Sequence, residues 1–350
     1  MVNEEARKVK RIGLLSGGGD CPGINAVIRA VVRKALQEGC EVVGIRDGWK
    51  GLIENDHVKL GMDSVSGILA KGGTILGTSR TNPYKKEGDL KKLLDNYKKL
   101  NLDALIAIGG EDTLGVASKL VEEGLPIVGV PKTIDNDLSG TDVTFGFDSA
   151  INIVTEAIDR LHSTAESHHR VMVVEIMGRH AGWIATKAGL AGGADVILIP
   201  EIQIDIDEVC DLIKKRHKRG KTFSIVAVSE GAAFKKEKVV TQLEKLDEFG
   251  HVLLGGIGRV LADIIQEKTG FEARVTVLGY LQRGGAPTAF DRVLATRFGV
   301  KAVEETLNEN FGQMVCFKGN KIGAVPIEEA VGKLKTVDME LYEIAKIFFG

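Results

Sequence analysis

The sequence predicts an α/β fold of two domains, each a mainly parallel sheet flanked by helices, and three observations predict it. Short apolar runs rich in Val, Ile and Leu alternate along the chain with longer amphipathic segments, the pattern of βαβ units. The 350 residues suit two domains at roughly 150 each. Hydrophobic residues make up 44%, which argues against disorder over most of the length.

The strands read in order are 12–16, 41–46, 104–109, 126–130, 170–176, 195–200, 223–229 and 274–279. Each is short and rich in Val, Ile and Leu, and reads as a strand buried on both faces. Between them, 25–37, 89–100, 113–123, 150–163, 206–219 and 257–268 carry apolar residues at helical spacing. Gly39 stops the first helix, and Gly124, Gly220 and Gly270 follow later ones, where a helix ends most easily on glycine. No tandem repeat, low-complexity tract or obvious flexible linker interrupts the pattern. A domain change is expected near 146, because the loop 135–146 precedes a long new helix.

Composition narrows the function. Forty-six Lys and Arg face 48 Asp and Glu, a net charge of −2. No basic nucleic-acid surface and no acidic tail is expected from that balance. Aromatics at 5% weaken any base-stacking role. Glycine is high, 43 residues, without a G-X-Y period, so the excess belongs to turns and backbone-lined sites. No apolar run reaches the ~18 residues that span a bilayer, and the amino-terminal MVNEEARKVK has no apolar core for a secretory signal. No membrane association is expected. Cys21, Cys40, Cys210 and Cys316 are scattered, without a C-x-x-C pair. They read as free thiols in a reducing cytoplasm.

Five loops at strand ends carry the chemistry. Ser16 to Asn25, S-G-G-G-D-C-P-G-I-N, follows a strand and opens a helix. Its glycines let backbone N–H groups approach an anion; the other reading is a tight strand-to-helix turn. Pro22 suits an early helical position. Gly109-Gly110-Glu111-Asp112-Thr113 places two carboxylates beside two glycines. That suits Mg²⁺ held together with a phosphate, or acidic residues complementing a helix dipole. Pro131 to Asp137, P-K-T-I-D-N-D, crowds a lysine, a threonine and two aspartates. One carboxylate there can take a proton from a hydroxyl nucleophile; an Asx-rich turn is the alternative. Met177 to Trp183 and Tyr280 to Gly285 each carry an arginine able to fork onto a phosphate; taken singly, each arginine reads better as a solvated surface charge. Arg170 and Arg274 begin the strands leading into them, and Glu230 adds a carboxylate at one more strand end. The histidines show no metal-ligand spacing, and no hydrolase triad is visible.

Taken together, these loops closely resemble the phosphofructokinase family, in one order from about residue 11 to about 300. The resemblance implies a phosphoryl-donor domain, 1–146 plus about 282–332, and a sugar-phosphate domain, 147–281 plus about 333–350, with the site between them. It implies that Gly18 and Gly19 hold donor phosphates and that Arg80 reaches the transferring group. Glu111, where the family usually has Asp, would hold Mg²⁺. Asp135 would be the general base toward the sugar 1-hydroxyl, with Thr133, Ile134 and Asp137 flanking it. Met177, Gly178, Arg179, Glu230, Tyr280, Leu281, Gln282 and Arg283 would form the sugar-phosphate site. Tyr280 replaces a histidine common in bacterial ATP-dependent members. Arg170 and Arg274 resemble arginines reaching in from a neighbouring subunit, which implies a homodimer or homotetramer with shared sites.

Asp112 and Lys132 bear on the donor. Bacterial ATP-dependent members of the best-known type have Gly at both positions; the pair here matches the pyrophosphate-dependent branch. An aspartate at 112 would occupy the space of an α-phosphate and repel it. Lys132 would put positive charge beside the leaving phosphate. The resemblance therefore implies a cytoplasmic enzyme converting fructose 6-phosphate and pyrophosphate, reversibly, to fructose 1,6-bisphosphate and phosphate. The alternatives are ATP as donor, another sugar phosphate such as sedoheptulose 7-phosphate, or, in another class, a non-catalytic nucleotide or sugar-phosphate sensor on the same fold, against which Asp135, Glu111 and the arginines argue.

Overall fold

The computed structural model describes residues 9–235 and 256–350; the amino-terminal segment read above as no secretory signal lies outside the described residues up to Lys8. The chain divides into two compact units. The first takes residues up to Ile134, Leu138–Asp148 and Arg283–Leu334; the second takes Asp135–Asp137, Ser149–Gln282 and Lys335–Gly350. Asp135–Asp137 thus groups with the second unit although the residues on both sides of it group with the first.

The elements run β1 (Arg11–Ser16), α1 (Ile24–Gln37), β2 (Glu41–Ile45), α2 (Trp49–Glu54), β3 (His57–Leu60), α3 (Asp89–Lys99), β4 (Ala104–Gly109), α4 (Glu111–Glu122) and β5 (Ile127–Pro131). Then come α5 (Phe147–His168), β6 (Val171–Ile176), α6 (Trp183–Ala191), β7 (Val196–Leu198), α7 (Ile206–Lys218), β8 (Ser224–Ser229), α8 (Ile257–Thr269) and β9 (Ala273–Val277). The chain closes with α9 (Ala289–Leu307), β10 (Gln313–Lys318), β11 (Lys321–Pro326), α10 (Ile327–Val331) and α11 (Met339–Lys346).

The first unit holds a seven-stranded sheet in the order β11-β10-β5-β4-β1-β2-β3. Its five inner strands are parallel, and β3 and β11 close the two edges antiparallel. β4 is buried along its whole length, as its unbroken ALIAIG run requires. β1 neighbours β2 on one side and β4 on the other, so the connections leave it in opposite directions. In open α/β sheets ligands gather outside the strand carboxyl ends at such a switch. The residues there are Gly17–Gly19 and Gly110–Asp112. Leu15, Trp49, Leu93, Leu105 and Leu114 fill the core on one face. Burying each such side chain contributes about 1.5–3 kcal/mol.

The second unit holds a four-stranded, all-parallel sheet, β7-β8-β6-β9. Ile176 lies opposite Ser229, and Glu175 opposite Val277. Three loops, after β6, β8 and β9, therefore start from adjacent strand ends. Val173, Val226, Val228, Leu261 and Ile265 fill this core.

Both sheets are mainly parallel and flanked by helices, as predicted. The differences lie in particular elements. Helices α2, α6, α9, α10 and α11 and strands β3, β10 and β11 were not expected. Helix α5 runs 147–168 rather than 150–163, and β7 shrinks to three residues. Pro22 precedes the helix; α1 begins at Ile24 behind Gly23, whose φ is 112°. His168 is the last residue of α5. The four cysteines are buried free thiols. Among the described residues no helix is long and apolar enough to cross a membrane.

Candidate functional site

The first unit assembles Gly18, Gly19, Arg80, Glu111, Asp112 and Lys132 from four segments. The Gly17 N–H donates to the Ile108 carbonyl at 2.9 Å, which pins the loop after β1 to β4. Thr113, buried in the first turn of α4, packs against both loops. A Cβ on Gly17 would lie 2.7 Å from its Oγ1, and one on Gly109 2.2 Å from its Cβ. Only glycine fits there, and the close fit sets Glu111 and Asp112 at the head of α4. Gly18, at φ 78°, donates its N–H to the Ser79 carbonyl at 3.0 Å and accepts from the Thr78 hydroxyl at 2.6 Å. Arg80 therefore follows directly on residues fastened to the loop after β1.

Lys132 is only 4% exposed. Its N–H donates to the Gly109 carbonyl at 2.9 Å, and its Nζ donates to the Gly19 carbonyl. A buried ammonium needs acceptors, and this one finds a loop carbonyl. Burial pushes the neighbouring Cys21 thiol up, with Lys132 the largest opposing influence. Arg283 also belongs to the first unit: a Cβ added to Gly19 would lie 2.5 Å from its Nη1.

Glu111 and Asp112 are two carboxylates in the first turn of α4, one exposed and one half-buried. Mg²⁺ takes one or two carboxylates together with substrate phosphate oxygens, so this hard-oxygen set fits it. Among the described residues no group of three or more His, Cys, Asp or Glu could hold a metal ion, so phosphates and water would supply the remaining ligands. The same placement complements the α4 dipole, the alternative raised from sequence.

The second unit contains Asp135, Asp137, Met177, Gly178, Arg179, Glu230, Tyr280, Leu281 and Gln282, and also Arg170 and Arg274, which stand at the amino-terminal ends of β6 and β9, a strand length from the loops at the carboxyl ends. Thr133 and Ile134 lie just before it, in the first. The loop after β6 is folded by its neighbours. Gly178, at φ 138°, accepts at its carbonyl from the Ser229 hydroxyl at 2.6 Å and from the Gly231 N–H at 3.1 Å. Those bonds fasten Met177–Arg179 to the loop bearing Glu230. Gln282, fully buried, accepts the Met177 N–H at 3.2 Å through Oε1, linking the loops after β6 and β9. Tyr280 and Leu281 are 78% and 69% exposed. Arg170 and Arg274 converge on one carboxylate, Glu272, Arg170 at 2.9 Å. Arg170, with Arg274 behind it, holds the Glu272 carboxyl below its usual range.

Three supporting residues escaped the sequence reading. Glu272 is one. Glu201 accepts the Gly182 N–H at 3.0 Å and the Val337 N–H at 2.9 Å, steadying the Met177–Trp183 loop. Lys335 donates from Nζ to Asn136 Oδ1 at 3.0 Å and from its N–H to the Asp137 carbonyl at 2.9 Å. It thereby fixes the two residues that follow Asp135, of which Asn136 has φ 52°.

The family model for phosphofructokinase matches residues 11–306. The chain is 58% identical over 342 residues to a pyrophosphate--fructose 6-phosphate 1-phosphotransferase of Streptomyces coelicolor, covering 97% of this chain and all of that one. It is 54% identical over 342 residues to an ATP-dependent 6-phosphofructokinase of Mycobacterium bovis, with the same coverage. Among solved structures, phosphofructokinase from Saccharomyces cerevisiae superposes with a TM-score of 0.78 at 33% identity, over 97% of this chain and 46% of that one. The chain thus spans about half the length of the yeast chain. With five motif loops on the carboxyl ends of two parallel sheets, and relatives of this similarity over nearly its whole length, the chain belongs to the phosphofructokinase family.

Proposed function

We propose that this phosphofructokinase uses pyrophosphate. It transfers a phosphoryl group to the 1-hydroxyl of fructose 6-phosphate, giving fructose 1,6-bisphosphate and phosphate, in the cytoplasm and in both directions. The observation that carries this reading is Asp112 in the first turn of α4, supported by Lys132, a buried cation whose Nζ is bonded to the Gly19 carbonyl. Where a nucleotide donor would bring its own α-phosphate and base, a short donor needs charge from the protein. Asp112, half-buried in the first turn of α4, would repel an α-phosphate from the same loop.

In this mechanism Gly18 and Gly19 present N–H groups to the donor, and Arg80 and Lys132 offset charge on the transferring and leaving oxygens. Glu111 would hold Mg²⁺, which would supply further charge neutralisation. Asp135 takes the proton of the 1-hydroxyl, while Thr133, Ile134 and Asp137 orient the reacting groups. Met177, Gly178, Arg179, Glu230 and Tyr280–Arg283 bind the sugar phosphate. Arg170 and Arg274 do so from a neighbouring subunit of a homodimer or homotetramer.

The mycobacterial relative named for ATP supports a second reading, the same transfer from ATP. The test is a side-by-side measurement of kcat/KM for the two donors with fructose 6-phosphate and Mg²⁺. Pyrophosphate is expected to lead by about 10³-fold, which corresponds to ~4 kcal/mol. A higher kcat/KM for ATP overturns the donor assignment and leaves the family and fold untouched.

A further inference from the structure

We infer that Arg283 is a positioning residue of the donor loop: its guanidinium packs on Gly19 and, with Lys132, fixes the peptide that receives the donor phosphates. This rests on the phosphoryl-donor reading of that loop and deepens it. Its sequence neighbours Tyr280–Gln282 group with the second unit, and Gln282 meets the Met177 loop. Arg283 itself groups with the first.

Residue 19 is glycine for want of space, not for its backbone angle. Gly18 and Gly23 have φ of 78° and 112°, a region that excludes most side chains, but Gly19 has no such φ. Its backbone conformation would accept alanine. Space would not: a Cβ there would lie 2.5 Å from Nη1, 3.0 Å from Cζ and 3.3 Å from Nη2 of Arg283. Those three atoms belong to one flat group, so the methyl would fall on the guanidinium. On its other side the same residue gives its carbonyl to Lys132 Nζ. Two cations from separate segments therefore meet at one glycine. Both also lower the pKa of the nearby Cys21 thiol against the effect of burial.

A planar, weakly hydrated guanidinium can lie against a peptide and still offer N–H donors, which an ammonium cannot do. Held this way, the Gly18–Gly19 segment keeps its N–H groups aligned and gains a second positive charge for an incoming polyphosphate. Arginine at this position then affects the donor as well as the sugar phosphate assigned to its loop.

The guanidinium ends a flexible side chain, so alanine at 19 can push it aside without breaking the fold. That permits a double-mutant cycle in the KM for pyrophosphate, read at saturating fructose 6-phosphate. With Arg283 present, Gly19→Ala is expected to raise this KM about tenfold; in the Arg283→Ala background the same change should raise it less than about threefold. Arg283→Lys should behave nearly as Arg283→Ala, because it keeps the charge and loses the plane. Equal factors for Gly19→Ala in both backgrounds overturn the inference. So does an Arg283→Ala protein whose KM changes for the sugar phosphate alone. Thermal midpoints establish folding, and Arg283→Gln replaces Arg283→Ala in the cycle if the latter does not fold. If the wild type prefers ATP, the pyrophosphate assignment fails, and the cycle run on the KM for ATP decides this inference separately.

Discussion

The imidazole of His217 lies flat on the Phe271 ring, with centroids 3.7 Å apart and planes 15° off parallel. Its Nε2 is buried without a hydrogen-bond partner. Burial, reinforced by the adjacent Arg216, lowers its pKa from the ordinary 6.5. A histidine with a depressed folded pKa binds its proton more readily in the unfolded chain. Its contribution to stability is therefore complete above about pH 6.5 and is lost as pH falls through the lower folded value. The thermal midpoint of the wild type should fall between pH 7.5 and 5.5 by more than that of His217→Phe, which keeps the stack and cannot protonate. Equal falls would remove His217 from the acid response. The residues that anchor the loops were hidden from sequence for a physical reason. Lys335 lies far along the chain from Asn136, and Glu201 far from Val337. A lysine or glutamate in isolation reads as a solvated charge. The loop glycines and aspartates were legible because their unusual density is local.

Strands buried on both faces were legible as elements because they are almost wholly apolar: β4 is unbroken, β6 departs only at Glu175, and β8 only at its two ends, Ser224 and Ser229. Helix α9 was not, because its buried face mixes polar and apolar groups, Asp291 and Thr306 beside Phe298 and Ala302, while apolar Phe290 and Val293 lie exposed. It packs closely on α1 at Gly299, where a Cβ would lie 2.7 Å from that of Ala30. Its one readable signal is the start, Thr288-Ala-Phe-Asp291, a capping pattern. The Thr288 hydroxyl accepts the Asp291 N–H at 3.3 Å and donates to Asp148 Oδ2 at 2.6 Å. Thr288→Ala should cost about 0.5–2 kcal/mol in denaturant unfolding, and Thr288→Ser only a fraction of it, because the hydroxyl is kept. A loss with serine as large as with alanine would show that the methyl, not the cap, matters. The β10–β11 hairpin carried an overlooked signal of the same kind. Gly319 and Asn320 have φ of 51° and 68°, the two positive values of a tight hairpin turn.

For the molecule as a whole, the residues assigned to the donor gather in one unit and nearly all of those assigned to the sugar phosphate in the other. Two of the latter bear on assembly. Arg274 stands on β9, an edge strand of its sheet, and is tied with Arg170 to Glu272. Val277, Tyr280 and Leu281, on and just after that strand, are 55%, 78% and 69% exposed. An edge strand followed by exposed apolar side chains is a surface that a second copy can cover. If each site takes Asp135 from one chain and Arg274 from its partner, two inactive proteins can complement each other. An Arg274→Ala chain keeps its own Asp135, and an Asp135→Asn chain keeps its own Arg274. A mixed dimer then has one intact site and one doubly altered site. Equal mixing with free exchange makes half the dimers mixed, so about one quarter of the wild-type activity should return, from a background lowered about 10²–10⁴-fold in the Asp135→Asn protein. The rise should track subunit exchange in time. Verified exchange with no recovery would mean that Asp135 and Arg274 serve the same site from one chain, and the shared-site proposal would fail.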